Sequence, residues 1–398
     1  MGGAVSESLS VIWDEAFLRY KLSPEHPLHP IRLALTVDLA TTLGVLDRPN
    51  LSVLAPEAAS DDLLRLVHTD AYINAVKGAY DHPTQAYRHG MGTPDNPIFA
   101  GMHQSSALLT GASVLAAQRL LSGQAQHAAN IGGGLHHAMP DRASGFCVYN
   151  DPAVAIAWML TQGIERIAYV DVDVHHGDGV QEVFAADPRV LTVSLHQHPA
   201  TLFPGTGLPD EVGTGDAVGS AVNVALPPGT DDAGWLRAFA ATVPALLRAF
   251  RPQILVTQHG CDSHREDPLA DLALTIDGQR TSYALLHTLA HELCEGRWLL
   301  LGGGGYGLTR CVPRAWTHLL AEASGDPLDP ATTIPGDWAE AARRRGVTAS
   351  LPDRMTEDGD TRYEPWQPGD DDPVGRAVLA TRRASFPLAG LDPDDPRD

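Results

Sequence analysis

The chain has 398 residues, 43% of them hydrophobic and 19% charged, enough for a sizeable core in one large domain or two to three smaller ones. Its formal net charge of −21 disfavours a nucleic-acid backbone as partner, and no window approaches the ~20 apolar residues that a membrane-spanning helix needs. The four cysteines, Cys147, Cys261, Cys294 and Cys311, form no CxxC pair, which argues against a zinc ribbon and a disulfide framework and fits a reducing, cytoplasmic setting.

The opening MGGAVSESLS has neither a basic region nor an apolar run, so we expect no secretion signal. Met1, Gly2 and Ser6 formally fit a myristoylation pattern, for which a processed start is the plainer reading. Helical periodicity predicts helices over 31–43, 61–77 and 102–121, separated by loops rich in Gly, Pro and His. Strands are then predicted at 128–131, 166–172, 190–195, 221–226, 253–257 and 298–301. Helices at 152–160, 177–185, 231–250 and 279–294 alternate with them, the pattern of a parallel sheet covered on both faces. After about residue 323 Pro and Asp become frequent. We expect a catalytic domain over 1–325 and a C-terminal extension, 326–398, that is peripheral or partly disordered, because a run such as GDDDP cannot build a core. Residues 350–398 hold twelve acidic and six basic side chains, so most of the negative charge lies in the body. An acidic body can draw in basic peptides or polyamines; solubility explains it equally well.

The most informative stretch is YVDVDVHHGDG, from Tyr169 to Gly179. In an extended chain, Asp171, Asp173 and His175 are spaced two apart and share one face. Unpaired charges are costly to bury, and this segment offers no cationic partner, so a bound metal explains the cluster better than an ion-pair network. The run QILVTQHGCD places Asp262 just past another strand end, where open parallel sheets bind ligands. Asp173, His175 and Asp262 thus make a three-ligand set with a position open for water or substrate.

Two further strand ends add to it. NIGGGLHHAMPDRASGF delivers His136 and His137, and WLLLGGGGYG delivers Tyr306. The glycine runs lack a phosphate-loop fingerprint and read as close backbone approach. A metal lowers the pKa of water, histidines take and return the proton, and a phenol donates to the oxyanion: these parts describe amide hydrolysis.

With these residues in place, GLHHAMPDRASGFCVYNDPAVAI, YVDVDVHHGDGVQEVF, TVSLHQHPATLFPGTG, QHGCDSHREDPLADLALT and LGGGGYGL resemble the zinc-dependent histone deacetylase superfamily, in order, from about Tyr20 to Leu320. The details are most similar to the bacterial acetoin-utilisation deacetylases. The resemblance implies an arginase/deacetylase-like three-layer α/β fold with a central eight-stranded parallel sheet. It implies Asp173, His175 and Asp262 as ligands of Zn2+, with Fe2+ as an alternative. His136 and His137 become the catalytic pair, oriented by Asp171 and Asp178, and Tyr306 the oxyanion donor. Phe146 and Phe203, with Gly145, wall an acyl-lysine tunnel. Leu269 and Asp95 sit at its rim, Gly304 joins the substrate-binding set, and Arg32 lies near an acetate exit. A structural K+ site is implied near Asp171, Asp173, His175, Ser194 and Leu195.

Acetylated lysine of proteins or peptides is the implied substrate, with acetylated polyamines as the alternative and an oligomer compatible with either. His264 departs from many eukaryotic members, which carry an apolar residue there; we expect it to be solvated at the rim. Two rival readings are a two-manganese ureohydrolase, faintly suggested by DSHREDP, and a non-catalytic acyl-lysine reader. The paired histidines and the tyrosine disfavour both.

Overall fold

The computed structural model describes residues 8–398, so the reading of Met1, Gly2 and Ser6 lies outside the described residues. Eight strands form one wholly parallel sheet: β1 (Leu9–Ile12), β2 (Leu51–Leu54), β3 (His127–Asn130), β4 (Ile167–Asp171), β5 (Val190–Gln197), β6 (Ala221–Leu226), β7 (Ile254–Gln258) and β8 (Trp298–Leu301). Their order is β2-β1-β3-β8-β7-β4-β5-β6, and every neighbouring pair is parallel. Helices cover both faces, giving the three layers expected. β3 to β8 are buried along their whole length, as their aliphatic sequences require between two helical layers. Among the described residues no helix is long and apolar enough to cross a membrane.

All six predicted strands are present, with ends shifted by up to two residues. β1 and β2 have no counterpart in the prediction. Each spans four residues, and β2 is partly exposed at the sheet edge, so neither gives a periodic signal. Two predicted helices are broken. The 231–250 stretch divides into Asp232–Ala240 and Val243–Phe250, because Pro244 lacks the N–H that a continuous helix needs. The 61–77 stretch divides into Asp61–Leu64 and Asp70–Lys77, where the Thr69 side chain accepts from the Tyr72 N–H and starts a new helix.

The C-terminal extension departs from its expected looseness. Its helix Gly336–Arg344 buries Trp338 against Leu35 and Leu39 of the first long helix, Ile31–Thr42. The helix Pro373–Ser385 packs against β6 at the edge of the sheet, and Thr381 Oγ1 donates to the Asn223 carbonyl at 2.7 Å. Covering an edge strand removes a row of unpaired backbone groups. The acidic run supports this helix: Asp372 caps it through the N–H groups of Val374 and Gly375 and pairs with Arg237 at 2.5 Å. Arg382 is fully buried, lies over the Trp366 and Phe386 rings, and donates to the carbonyls of Ala241, Asp392, Pro393 and Asp395. Composition misled here because these charges are spent on caps and carbonyls.

Candidate active site

β3, β8, β7 and β4 are consecutive neighbours in the sheet. Their carboxyl ends run into GGGLHH, GGGGY, HGCD and VDVHH, which therefore converge on one crevice although they are far apart in sequence.

The ligand atoms of Asp173, His175 and Asp262 lie within 4.8 Å of one another. His175 Nδ1 is 3.0 Å from Asp173 Oδ1 and 3.1 Å from Asp262 Oδ2. Both carboxylates are fully buried. Burial and the neighbouring Asp173 charge push Asp262 up to about 7, with His175 opposing. Burial would lower His175, but the two carboxylates raise it to about 10. The metal-free cluster thus draws a proton onto the imidazole between two buried carboxyl groups. A demand for positive charge at a point faced by two oxygens and one nitrogen is met by a divalent cation, so the donor set fits one. Gln258 Nε2 and the Gly304 N–H both donate to Asp173 Oδ2 at 2.8 Å, and the Val174 N–H donates to Asp262 Oδ1 at 3.0 Å. These bonds fix the carboxylates in orientation. A Cβ at Gly304 would overlap Asp262 Oδ2, which is why glycine stands there.

Beside this cluster, His136 Nδ1 is 2.7 Å from Asp171 Oδ2, and His137 Nδ1 is 2.6 Å from Asp178 Oδ1. The two Nε2 atoms are 3.1 Å apart. Burial opposes a charge on His136, but Asp171 and Asp173 raise it to about 9. Burial and the charge of His136 lower His137 to about 4, against the pull of Asp178. At neutral pH the pair therefore carries one positive charge, on His136, and His137 stays neutral with a lone pair on one ring nitrogen. Asp171 Oδ2 also accepts from the Tyr169 hydroxyl at 2.7 Å, so the carboxylate that orients His136 is itself held.

Tyr306 leaves the β8 glycine run with its backbone N–H donating to Asp267 Oδ2 at 2.7 Å. Burial, with Asp262 and Asp173 nearby, raises its phenol well above the usual value and keeps it a donor. Its ring meets Phe146 edge to face at 5.7 Å. Phe203 stands opposite, 5.0 Å from the His137 ring and 44% exposed, so it is no core residue. Asp95, Gly145, Phe146, Phe203, Leu269 and Tyr306 line one opening that leads down to His137 and His175. This opening holds roughly 200 Å3, and the chamber beneath it, floored by His136, Asp173 and Gly304, only about 20 Å3. Such a funnel admits a slim chain and leaves room for a group of water size at its end.

Arg32 is buried behind Tyr306, with Nη1 donating to the Gly305 carbonyl at 3.0 Å and its guanidinium over Trp316. The β4–β5 register sets Asp171 beside Ser194, so the segments named for K+ are adjacent.

His264 is the one placement that must be corrected. It is fully buried, not solvated at the rim, and its Nε2 lies 3.0 Å from Glu357, which also pairs with Arg314 and Arg265. The C-terminal extension supplies Glu357, a partner no local pattern announces.

Other supports carry no local signal either. Gln258 and Asp267 gain their roles by proximity. Tyr20 donates to the Phe146 carbonyl at 2.7 Å, and the His26 ring meets the Phe146 ring edge-on at 4.5 Å. His68 clamps the catalytic loop: its Nδ1 donates to the Met139 carbonyl at 3.1 Å, and its Nε2 accepts from the Asn150 N–H at 3.0 Å. A second proton would break the latter bond.

Burial accordingly lowers His68 to about 4. The unfolded chain takes up a proton as pH falls below about 6.5, while the folded chain resists until about 4, so stability is lost across that window. Between pH 7 and pH 5 His68→Gln is expected to lose about 2 kcal/mol less unfolding free energy than the parent chain. Urea titrations at the two pH values check this, and equal losses would show that His68 takes no part.

A parallel sheet whose crevice lies at its carboxyl edge, walled by aromatics and floored by carboxylates and imidazoles, defines a hydrolase of arginase/deacetylase type. Residues 26–323 match the model of the histone deacetylase domain. The chain is 43% identical over 330 residues to the acetoin utilization protein AcuC of Bacillus subtilis (strain 168), covering 82% of this chain and 84% of that one. It is 32% identical over 363 residues to AcuC of Staphylococcus xylosus, covering 90% and 93%. Among solved structures it is similar to a histone deacetylase homologue from Aquifex aeolicus, with a TM-score of 0.82, 28% identity, and coverage of 94% of this chain and 100% of that one. A homologue in complex with SAHA gives 0.81 and 29% over the same shares. The chain belongs to the histone deacetylase family. It is an AcuC-like deacetylase, an amidohydrolase acting on acetylated substrates.

Proposed function

We propose that this chain hydrolyses the amide of N-acetyl-lysine in proteins or peptides, releasing the free amine and acetate. The observation that carries this reading is the narrow aromatic funnel ending on Asp173, His175 and Asp262, with His136, His137 and Tyr306 around them. Asp173, His175 and Asp262 would hold one divalent ion, zinc, for which iron(II) can substitute on the same donors. When bound, such an ion lowers the pKa of water and polarises a carbonyl.

The chain's own residues do the rest. Asp178 fixes the His137 proton on Nδ1, so Nε2 presents a lone pair that takes the proton of the attacking water. His136, held charged by Asp171, adds positive charge beside the developing oxyanion, and the pair returns a proton to the leaving amine. The Tyr306 hydroxyl donates to the oxyanion. Phe146 and Phe203 flank the lysine methylenes, Gly145 leaves room for them, and Gly304 lets the chain pass close to the ligands. Leu269 and Asp95 meet the substrate backbone at the rim, and Arg32 lies where acetate would leave. The adjacent 171–175 and 194–195 segments are assigned to a structural K+.

Turnover of an acetyl-lysine peptide beside acetylated polyamines tests the substrate. Preference for the polyamines would transfer the assignment to small amines, and turnover of neither would leave only a binder. The tunnel has its own test. Phe203→Ala removes one wall, and a buried methylene contributes roughly 0.8 kcal/mol. KM is expected to rise about fivefold, or acyl-chain choice to broaden. If peptide kinetics show neither, the ring does not wall the substrate.

A further inference from the structure

A second group of convergent imidazoles lies at the opposite edge of the sheet. His127 is the first residue of β3, and His287 and His291 stand one turn apart on the helix Ile276–Cys294, facing it. Their Nε2 atoms form a nearly equilateral triangle: 3.2 Å from His287 to His127, 3.3 Å from His291 to His127 and 3.1 Å between His287 and His291.

Hydrogen bonds among the three rings alone cannot satisfy such a triangle. Each Nε2 presents either an N–H or a lone pair, so at least two of the three present the same thing and repel. A cation at the centre removes the conflict, because all three lone pairs then point at it. The dimensions agree: tetrahedral zinc at 2.0–2.1 Å from nitrogen puts two imidazole nitrogens roughly 3.3 Å apart.

The surroundings suit neutral, oriented ligands. His287 Nδ1 is 2.9 Å from Glu322 Oε1, the carboxylate–imidazole arrangement that orients a metal-binding ring. Trp298 stacks on His287 and meets His127 edge-on, fixing both planes. His127 is fully buried. His291 is only half-buried, which leaves one side open to an entering ion.

We propose that His127, His287 and His291 form a second divalent-metal site, of zinc type, which ties the start of β3 to the helix Ile276–Cys294, with Glu322 orienting His287. It shares no residue with the cluster of Asp173, His175 and Asp262, and it stands whether or not the deacetylase assignment is right.

The test uses the untagged full chain, stripped with chelator and titrated with zinc. Asp173→Asn/Asp262→Asn is expected to retain one zinc per chain at micromolar concentration, and zinc is expected to raise its Tm by a few degrees. Adding His287→Gln/His291→Gln should abolish both effects. In the otherwise unaltered chain, His287→Gln/His291→Gln should lower the count from two to one and leave deacetylation unchanged. Should the double change impair folding, His291→Ala alone is expected to weaken the second zinc at least tenfold. An Asp173→Asn/Asp262→Asn chain that binds no zinc, or zinc that survives loss of the histidines, overturns the proposal.

Discussion

Asp262→Asn is expected to abolish deacetylation with little cost to folding. The substitution keeps the size of the side chain and an oxygen that can accept from the Val174 N–H. It removes one of the two carboxylates whose charge a bound ion would neutralise. Loss of an outer partner of a metal site typically costs 10–100-fold, and loss of a ligand should cost more, bringing turnover to background. The metal-free proteins provide the control. In the parent chain Asp262 is pushed up to about 7 by burial and by Asp173, so above that pH the folded state holds a repelled carboxylate. Asn removes it, and the Tm of the metal-free variant at pH 8 is expected to match or exceed that of the metal-free parent. Zinc bound at Asp173, His175 and Asp262 should raise the Tm of the parent alone, measured with the histidine triangle disabled in both chains. A variant that keeps this zinc and its rate would remove Asp262 from the ligand set.

Tyr306→Phe is expected to lower kcat by on the order of 10²–10³, the usual cost of losing an oxyanion donor in a water-excluded site. The structure explains why little else should change. The loop is held through the backbone N–H of Tyr306 to Asp267, and the ring through its edge contact with Phe146, and phenylalanine keeps both. Metal content and Tm should stay as in the parent, and KM should change only modestly. Near-native kcat on an acetyl-lysine peptide would sink the role and leave carbonyl polarisation to the ion alone.

The site was legible because its chemistry breaks local rules. Asp171, Asp173 and His175 alternate with Val170, Val172 and Val174 at and just past the end of β4, and no packing argument accounts for buried charge there. Paired histidines and a tyrosine after glycine runs are equally out of place in a core. What stayed hidden were residues whose types are ordinary and whose positions matter. Gln258 reads as one more polar strand end until its amide is found on Asp173. His127, His287 and His291 are scattered along 165 residues of sequence and meet only because the Ile276–Cys294 helix packs on β7 and β8, and β8 pairs with β3.

The sequence by itself determined the layered α/β class, six of the eight strands and the Asp, His and Tyr side chains at the floor of the crevice, since apolar periodicity and buried charge are properties of short segments; its aromatic wall came only from the family resemblance. The tertiary structure alone decided the strand order β3-β8-β7-β4 that sets the four loops side by side. It also decided the pairing of β1 and β2, and the return of the C-terminal extension to cap β6 and seat Glu357 against His264. The physical reason is the range of the interactions. A strand or a run such as Asp171-Asp173-His175 is specified within about ten residues, whereas a buried counter-charge such as Glu357 lies 93 residues from His264 and the edge-covering Thr381 lies 158 from Asn223. The sequence of such a distant segment is compatible with several partners until the core closes on one.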